Sequence, residues 1–380
     1  MQHISLIARR AAKVIAVIFC VILVCALILM ILLLIWSPGK PQPYLNANGA
    51  PLAGSISEKT YIEINGIRQG VFIRGKNKNN PVVLFLHGGP GMPEYFLAEK
   101  YLSGLEDHFT VCYWEQRGSG LSYQPGMSSD TVTLKQSIDD AIAVTNYLRK
   151  RFGQNKIYLM AHSYGTFLGI QAVARASQFY CAYIGIGQIS HQYQSEKEAY
   201  QYMLNYYKMH GNSSMVKKLE SYQILNSGTA MNAYLDSSLR DDAMHQAGIG
   251  TMHNMHSVIT GIFLPVMQCH AYTIGEKINI WRGKAFSQNS TELKRMVLST
   301  DLTSKVTELN LPVYFISGKY DLTVSYSLAK SYFDKLKAPV KGFYTFEHSA
   351  HSPLFEESNR FLQIMEQDVL VGKVSMADAK

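Results

Sequence analysis

Cysteine is scarce in this 380-residue chain, with five in all, and two of them, Cys20 and Cys25, fall inside an apolar N-terminal run. The other three, Cys112, Cys181 and Cys269, cannot all pair with one another and none has C-x-x-C spacing. That argues against a disulfide framework and against a zinc–thiolate site. Charge is thin as well, at 17% of residues, and the net +8 comes from scattered lysines and arginines. Without a dense basic stripe interleaved with aromatics, no nucleic-acid partner is expected. His245, His253, His256 and His270 find no carboxylate or cysteine to complete a ligand set, so neither metal nor cofactor is expected. Internal repeats and low-complexity tracts are also missing. What remains is a 47% apolar composition, ordinary for a globular chain, with room for one large domain carrying an insertion.

One long apolar run is present. Val14 to Trp36 contains no charge and spans 23 residues, enough to cross a ~30 Å hydrocarbon core. It ends in Ile35-Trp36-Ser37-Pro38-Gly39-Lys40, which offers no small-x-small cleavage site, so an uncleaved anchor is expected. Arg9, Arg10 and Lys13 precede the run and Lys40 alone follows closely. The positive-inside bias then places residues 1–13 in the cytoplasm, the span at 14–36, and the remainder outside the membrane. Residues 37–56, rich in Pro, Gly and Asn, read as a tether.

After the tether the pattern is that of strands alternating with helices. Thr60 to Ile64 and Gln69 to Arg74 alternate around Asn65-Gly66, a hairpin signal. Pro81 to Leu86, Phe109 to Trp114, Lys156 to Met160 and Cys181 to Ile186 are near-continuously apolar, as strands covered on both faces should be. Ile138, Ala141, Ile142, Thr145 and Leu148 recur at helical spacing and Gly153 closes that helix. From 189 to about 300 the rhythm breaks into polar-aromatic helical patterns. It resumes with Leu311 to Gly318 and Gly342 to Phe346. The expected architecture is a mostly parallel α/β sheet with helices on both faces. It is split into core halves at 57–188 and 301–380 by a helical cap at 189–300.

The chemistry-bearing stretch is Ala161-His162-Ser163-Tyr164-Gly165. A serine at a sharp strand-to-helix turn needs small residues two positions away on either side, the content of the G-x-S-x-G elbow, here with alanine in the first place. A serine hydroxyl needs a base to take its proton and an acid to orient that base. Asp321 and His351 each follow a late expected strand, giving the order Ser163…Asp321…His351 of α/β-hydrolases. His348 competes for the base, and His351 is preferred because it abuts the helix start at Ser352-Pro353. The oxyanion donors expected are the N–H of Tyr164 and that of Gly89, with Gly88 as the fallback, in the loop His87-Gly88-Gly89-Pro90-Gly91. His87 is expected to brace that loop.

His-Gly-Gly-Pro-Gly, Glu115-Gln116-Arg117-Gly118-Ser119-Gly120-Leu121-Ser122, the serine elbow, Asp321 and His351-Ser352-Pro353 together resemble the proline iminopeptidase family of α/β-hydrolases, over roughly residues 57–370. Glu115 stands where that family usually has aspartate, Ala161 where the elbow usually has glycine, and Tyr164 where several proline-selective members have tryptophan. The resemblance implies a serine aminopeptidase acting on short peptides, with acidic cap residues holding the substrate's ammonium group. Glu196 and Glu198 are the candidates for that role, with Glu220 behind them. The alternative is a carboxylesterase or lipase acting on apolar esters. The expected partners are a small peptide or ester substrate and the lipid bilayer, with no obligate protein partner evident.

Overall fold

The computed structural model describes residues 2–102, 104–224 and 228–379. Met1 and Lys380, at the ends of the expected first and last segments, and residues 225–227 within the expected cap lie outside the described residues. A hairpin opens the sheet, β1 (Ile56–Ile64) and β2 (Ile67–Gly75). Its turn has φ of 47° at Asn65 and 76° at Gly66, the two positive values that let a two-residue turn match the twist of its strands. Then come β3 (Val82–Leu86), β4 (Thr110–Trp114), β5 (Ile157–His162), β6 (Tyr180–Ile186), β7 (Val313–Gly318) and β8 (Lys341–Phe346). The described residues form one sheet in the order β1-β2-β4-β3-β5-β6-β7-β8. The two N-terminal strands pair antiparallel and the rest are parallel.

The sheet is a mostly parallel α/β sheet, as the near-continuous apolar runs predict. Both faces are covered, and a separate apolar cluster sits on each. One holds Leu84, Leu159 and Phe315; the other holds Phe85, Met160 and Tyr314. Adjacent residues of one strand divide between the clusters because side chains alternate across a sheet. The crossover helix Leu134–Phe152 starts at Thr133, whose hydroxyl accepts from Gln136 N, and stops at Gly153 in the left-handed region. Among the described residues no strand lies between β6 and β7. Helices fill that stretch, from Gln192–Met209 to Thr291–Ser299. Some of them share a third cluster of their own, built on Tyr200, Met203, Tyr207, Met231, Tyr234 and Met244.

N-terminal to all this, Gln2–Ile35 is a single helix. An 18-residue window within Arg10–Ile35 has a mean hydropathy of 3.6, and none of that window is buried in the protein. By length and composition it is apolar enough to cross a membrane.

Parallel pairing brings the carboxyl ends of the central strands to one edge, where ligands of open α/β sheets bind. Leu86 of β3 lies beside Ala161 of β5, Ala161 beside Gly185 of β6, and Gly318 of β7 beside Phe346 of β8. The helix Tyr164–Arg175 leaves β5 so closely over β3 that a Cβ on Gly165 would sit 2.2 Å from the Leu86 carbonyl oxygen. Ala161 is accommodated because a glycine faces it: a Cβ on Gly169, one helical turn past Gly165, would lie 3.1 Å from the Ala161 methyl. Gly165→Ala therefore pushes helix from sheet and should cost about 1–3 kcal/mol. Thermal unfolding should show a midpoint several degrees lower, and an unchanged midpoint would contradict the close approach.

Candidate active site

Ser163 occupies the turn between β5 and its helix with φ 55° and ψ −126°. A positive φ at a non-glycine residue is strained and persists only where the surroundings fix it. Here Ser163 N–H donates to Ile186 O at 2.9 Å, tying the turn to the end of β6. Beyond β7, Asp321 is buried, and its Oδ1 accepts from Val324 N at 2.9 Å. Beyond β8, His351 is buried, and its Nδ1–H donates to Asp321 Oδ2 at 2.8 Å. With Nδ1 committed as donor, Nε2 is left as the acceptor of the neutral ring. Nε2 finds no hydrogen-bond partner among the described residues. Ser163 and His351 line one cavity of about 720 Å³, floored by the strand ends and roofed by the cap. His348, the rival base, is exposed at the surface.

The His351 loop is clamped by Glu356, whose Oε1 accepts from Ala350 N at 3.0 Å and Ser352 N at 3.3 Å while Oε2 accepts from His253 N at 2.6 Å. Burial pushes that carboxyl up to about 7 despite the three amides. His253 is thus a structural contact, and its ring meets Gly248 O and Tyr320. Cys181 and Cys269 are both free.

The loop after β3 is braced by His87 as its glycine-rich setting predicts. Nδ1–H donates to Gly88 O at 2.8 Å and Nε2 accepts from Gln116 N at 3.1 Å, which fixes a neutral ring. Burial lowers its pKa in the same sense. Gly88 N–H donates to Glu94 Oε1 at 3.1 Å, which removes Gly88 as an oxyanion donor. Gly89 lines the cavity, and its N–H meets no acceptor among the described residues. Tyr164 is the first residue of its helix, where N–H groups have no intrahelical acceptor. Its side chain is buried in the core cluster that holds Phe167 and Leu168.

The two cap carboxylates, Glu196 and Glu198, both have partners within the chain. Glu198 is not among the residues lining the cavity; its Oε2 accepts from Ser325 Oγ at 2.6 Å and so braces the cap against the loop after β7. Glu196 does line the cavity, but Arg240 holds both its oxygens at 2.7 Å and Gln192 adds a third bond. Glu220, the reserve candidate, pairs with Lys208. A further carboxylate, for which the sequence carries no signal, also stands at the site. Glu94 is 8% exposed and lines the cavity, and its Oε2 has no partner among the described residues. A Cβ placed on Gly88 would lie 2.9 Å from Glu94 Oε1 and 3.4 Å from Ser163 Oγ, so the two groups flank a single point.

Glu94 Oε1 also receives His162 Nδ1–H at 2.8 Å, while His162 Nε2–H donates to His351 O at 2.9 Å. Both partners are acceptors, so the ring is an imidazolium. Burial pulls the His162 pKa down, yet the Glu94 carboxylate and the carbonyl outweigh it and the net direction is up.

The fold and this edge of the sheet define an α/β hydrolase. The chain belongs to the α/β hydrolase fold family, which it matches over residues 81–358. It is 30% identical over 326 residues to a probable aminopeptidase, YbaC, of Bacillus subtilis strain 168, covering 83% of this chain and 98% of that one. It is 25% identical over 303 residues to a proline iminopeptidase of Saccharolobus solfataricus, covering 78% and 86%. The crystal structure of proline iminopeptidase from Mycobacterium smegmatis shares the fold, with a TM-score of 0.61 at 15% identity over 83% of this chain and all of that one. The chain is an α/β hydrolase similar to proline iminopeptidases and aminopeptidases.

Beneath the site, Glu115 is buried, accepting from Tyr272 Oη and, at 2.5 Å, from Leu121 N. Burial raises its carboxyl from 4.5 to about 8. Between those values the folded chain holds a proton that the unfolded chain has released, so this group's contribution to stability is present below pH 4.5 and is lost as pH rises through 8. Glu115→Gln removes that loss. Melting curves from pH 4.5 to 8.5 should show the variant gaining on the wild type as pH rises, and parallel curves would contradict the assignment.

Proposed function

We propose that this chain is a membrane-anchored serine hydrolase that removes N-terminal residues from short peptides. The observation that carries the reading is that His351, its Nδ1 held by Asp321 and its Nε2 unpartnered, lines the same cavity as Ser163. Ser163 Oγ attacks the scissile carbonyl while His351 Nε2 takes its proton, and the buried Asp321 steadies the imidazolium that forms. The N–H groups of Gly89 and Tyr164 receive the oxyanion, a contribution of about 3 kcal/mol per donor. Collapse breaks the C–N bond, and His351 returns the proton to the leaving amine. Water, deprotonated by the same nitrogen, then releases the acyl group from Ser163. Each proton and electron pair moves among this chain, the substrate and water.

An aminopeptidase must also recognise a free ammonium, one carbon from the reacting carbonyl. Glu94 fits that place: a carboxylate with an unpartnered oxygen, beside Ser163, among the residues that line the cavity. Glu196 fits less well, because Arg240 already neutralises it. The names of the B. subtilis and S. solfataricus relatives support an exopeptidase over an esterase. The apolar run Val14–Trp36, with basic residues before it and no cleavage motif after it, supports an anchor with a cytoplasmic N-terminus and an extracytoplasmic catalytic body.

Labelling by a fluorophosphonate should vanish in Ser163→Ala; retention would move the nucleophile elsewhere. Wild-type enzyme should turn over aminoacyl-naphthylamides, and turnover of p-nitrophenyl esters alone would sink the aminopeptidase reading. Glu94→Gln should raise KM for free-amine substrates about 10- to 100-fold, the value of a charge-assisted hydrogen bond. N-acetylated ester analogues should lose turnover through the shared loop network but show no matching rise in KM. Equal effects on both would make Glu94 a structural residue only.

A further inference from the structure

The cap carries an apolar face that the body does not cover. Ile259 is 64% exposed, Phe263 40%, Leu264 37% and Ile278 45%. The first three lie on the apolar helical segment Ile259–Gln268, and Ile278 lies on the next helix, Ile274–Gln288. A contiguous exposed patch of large aliphatic and aromatic side chains marks a surface made to meet something apolar.

The position of this patch identifies what it meets. Lys277 is 1% exposed, and its ammonium donates to Trp36 O at 2.8 Å, to Ser37 Oγ at 2.9 Å and to Met267 O at 2.6 Å. One buried charge thus fastens both cap helices to the residues directly after the N-terminal apolar helix. Gly39 N and Lys40 N add bonds to His270 O at 3.0 and 3.2 Å. Leu264 is one helical turn from Met267, Ile278 adjoins Lys277, and the Phe263 ring lies 5.9 Å from Trp281, one turn past Lys277. Ile259 falls within about 12 Å of Met267 along the chain axis. Amphipathic segments in a membrane interface sink about 5–10 Å into the headgroup–acyl boundary. A second protein seated here would have to displace the lipid around the end of the span.

We propose that the face formed by Ile259, Phe263, Leu264 and Ile278 docks into the same bilayer that the N-terminal helix spans, holding the site cavity against the membrane surface. The proposal rests on the anchor reading given above. It places the rim of the cavity at the interface, because Val258, next to Ile259, is 36% exposed and lines the cavity, as do Ile262 and Trp281. Substrates with an apolar tail would then reach Ser163 from the interface.

The full chain in vesicles containing a phosphatidylcholine with a diazirine on its acyl chain tests this. After irradiation, lipid adducts should appear on the peptides carrying 258–264 and 278 as well as on 10–35. Ile259→Glu with Leu264→Glu should cut the adducts on 258–264 by about tenfold while turnover of a soluble short substrate is unchanged. Adducts confined to 10–35, or adducts on 258–264 indifferent to the two glutamates, overturn the docking and leave the anchor standing. Absence of adducts from both segments overturns the anchor as well.

Discussion

The site depends on one buried ion pair. His162 and Glu94 join three loops that come from different strands. Glu94 belongs to the loop after β3, His162 ends β5, and the carbonyl that His162 reaches is that of His351 after β8. Removing either partner would leave an uncompensated charge in the interior, at a cost of about 3–5 kcal/mol. The three loops therefore hold position together or not at all. The strained turn at Ser163 begins one residue past this pair, so the pair also helps to fix a backbone conformation that serine would not adopt alone.

The same arrangement sets the electrostatics around the proposed base. The His162 and His351 rings are 4.9 Å apart between centroids. The Glu94 carboxylate lies against one ring and the Asp321 carboxylate against the other. Glu94 thus has two jobs in the proposed reading: one oxygen completes the loop network, and the other, unpartnered among the described residues, is left for the substrate.

Much of this was legible in the sequence because it is written locally. The hairpin follows from Asn65-Gly66, the buried strands from unbroken apolar runs, and the Ser163–Asp321–His351 arrangement from three residues each placed just after a strand. Parallel pairing of the strands then brings their carboxyl ends to one edge. The role of Glu94 was not legible, since Met92-Pro93-Glu94 has no period or motif and its partner lies 68 residues away. The partners of Glu196 and Glu198 are hidden from the sequence for the same reason. Arg240, which occupies Glu196, is 44 residues further along, and Ser325, which engages Glu198, is 127 residues away. Local pattern reports which way a side chain faces a sheet or helix; it does not report which distant charge will already be there.

The cap's private core has a consequence of another kind. Tyr200, Met203, Tyr207, Met231 and Tyr234 pack with one another and belong to neither cluster that flanks the sheet. Substitutions in sites without shared partners combine nearly additively. Substitutions within this cluster therefore leave the two clusters that flank the sheet, and with them the platform under Ser163 and His351, intact. Methionine-rich packing tolerates such replacement well, because an unbranched thioether adapts to altered neighbours. The part of the cap built on this cluster is held by its own packing, so its stability and that of the sheet are set by different side chains.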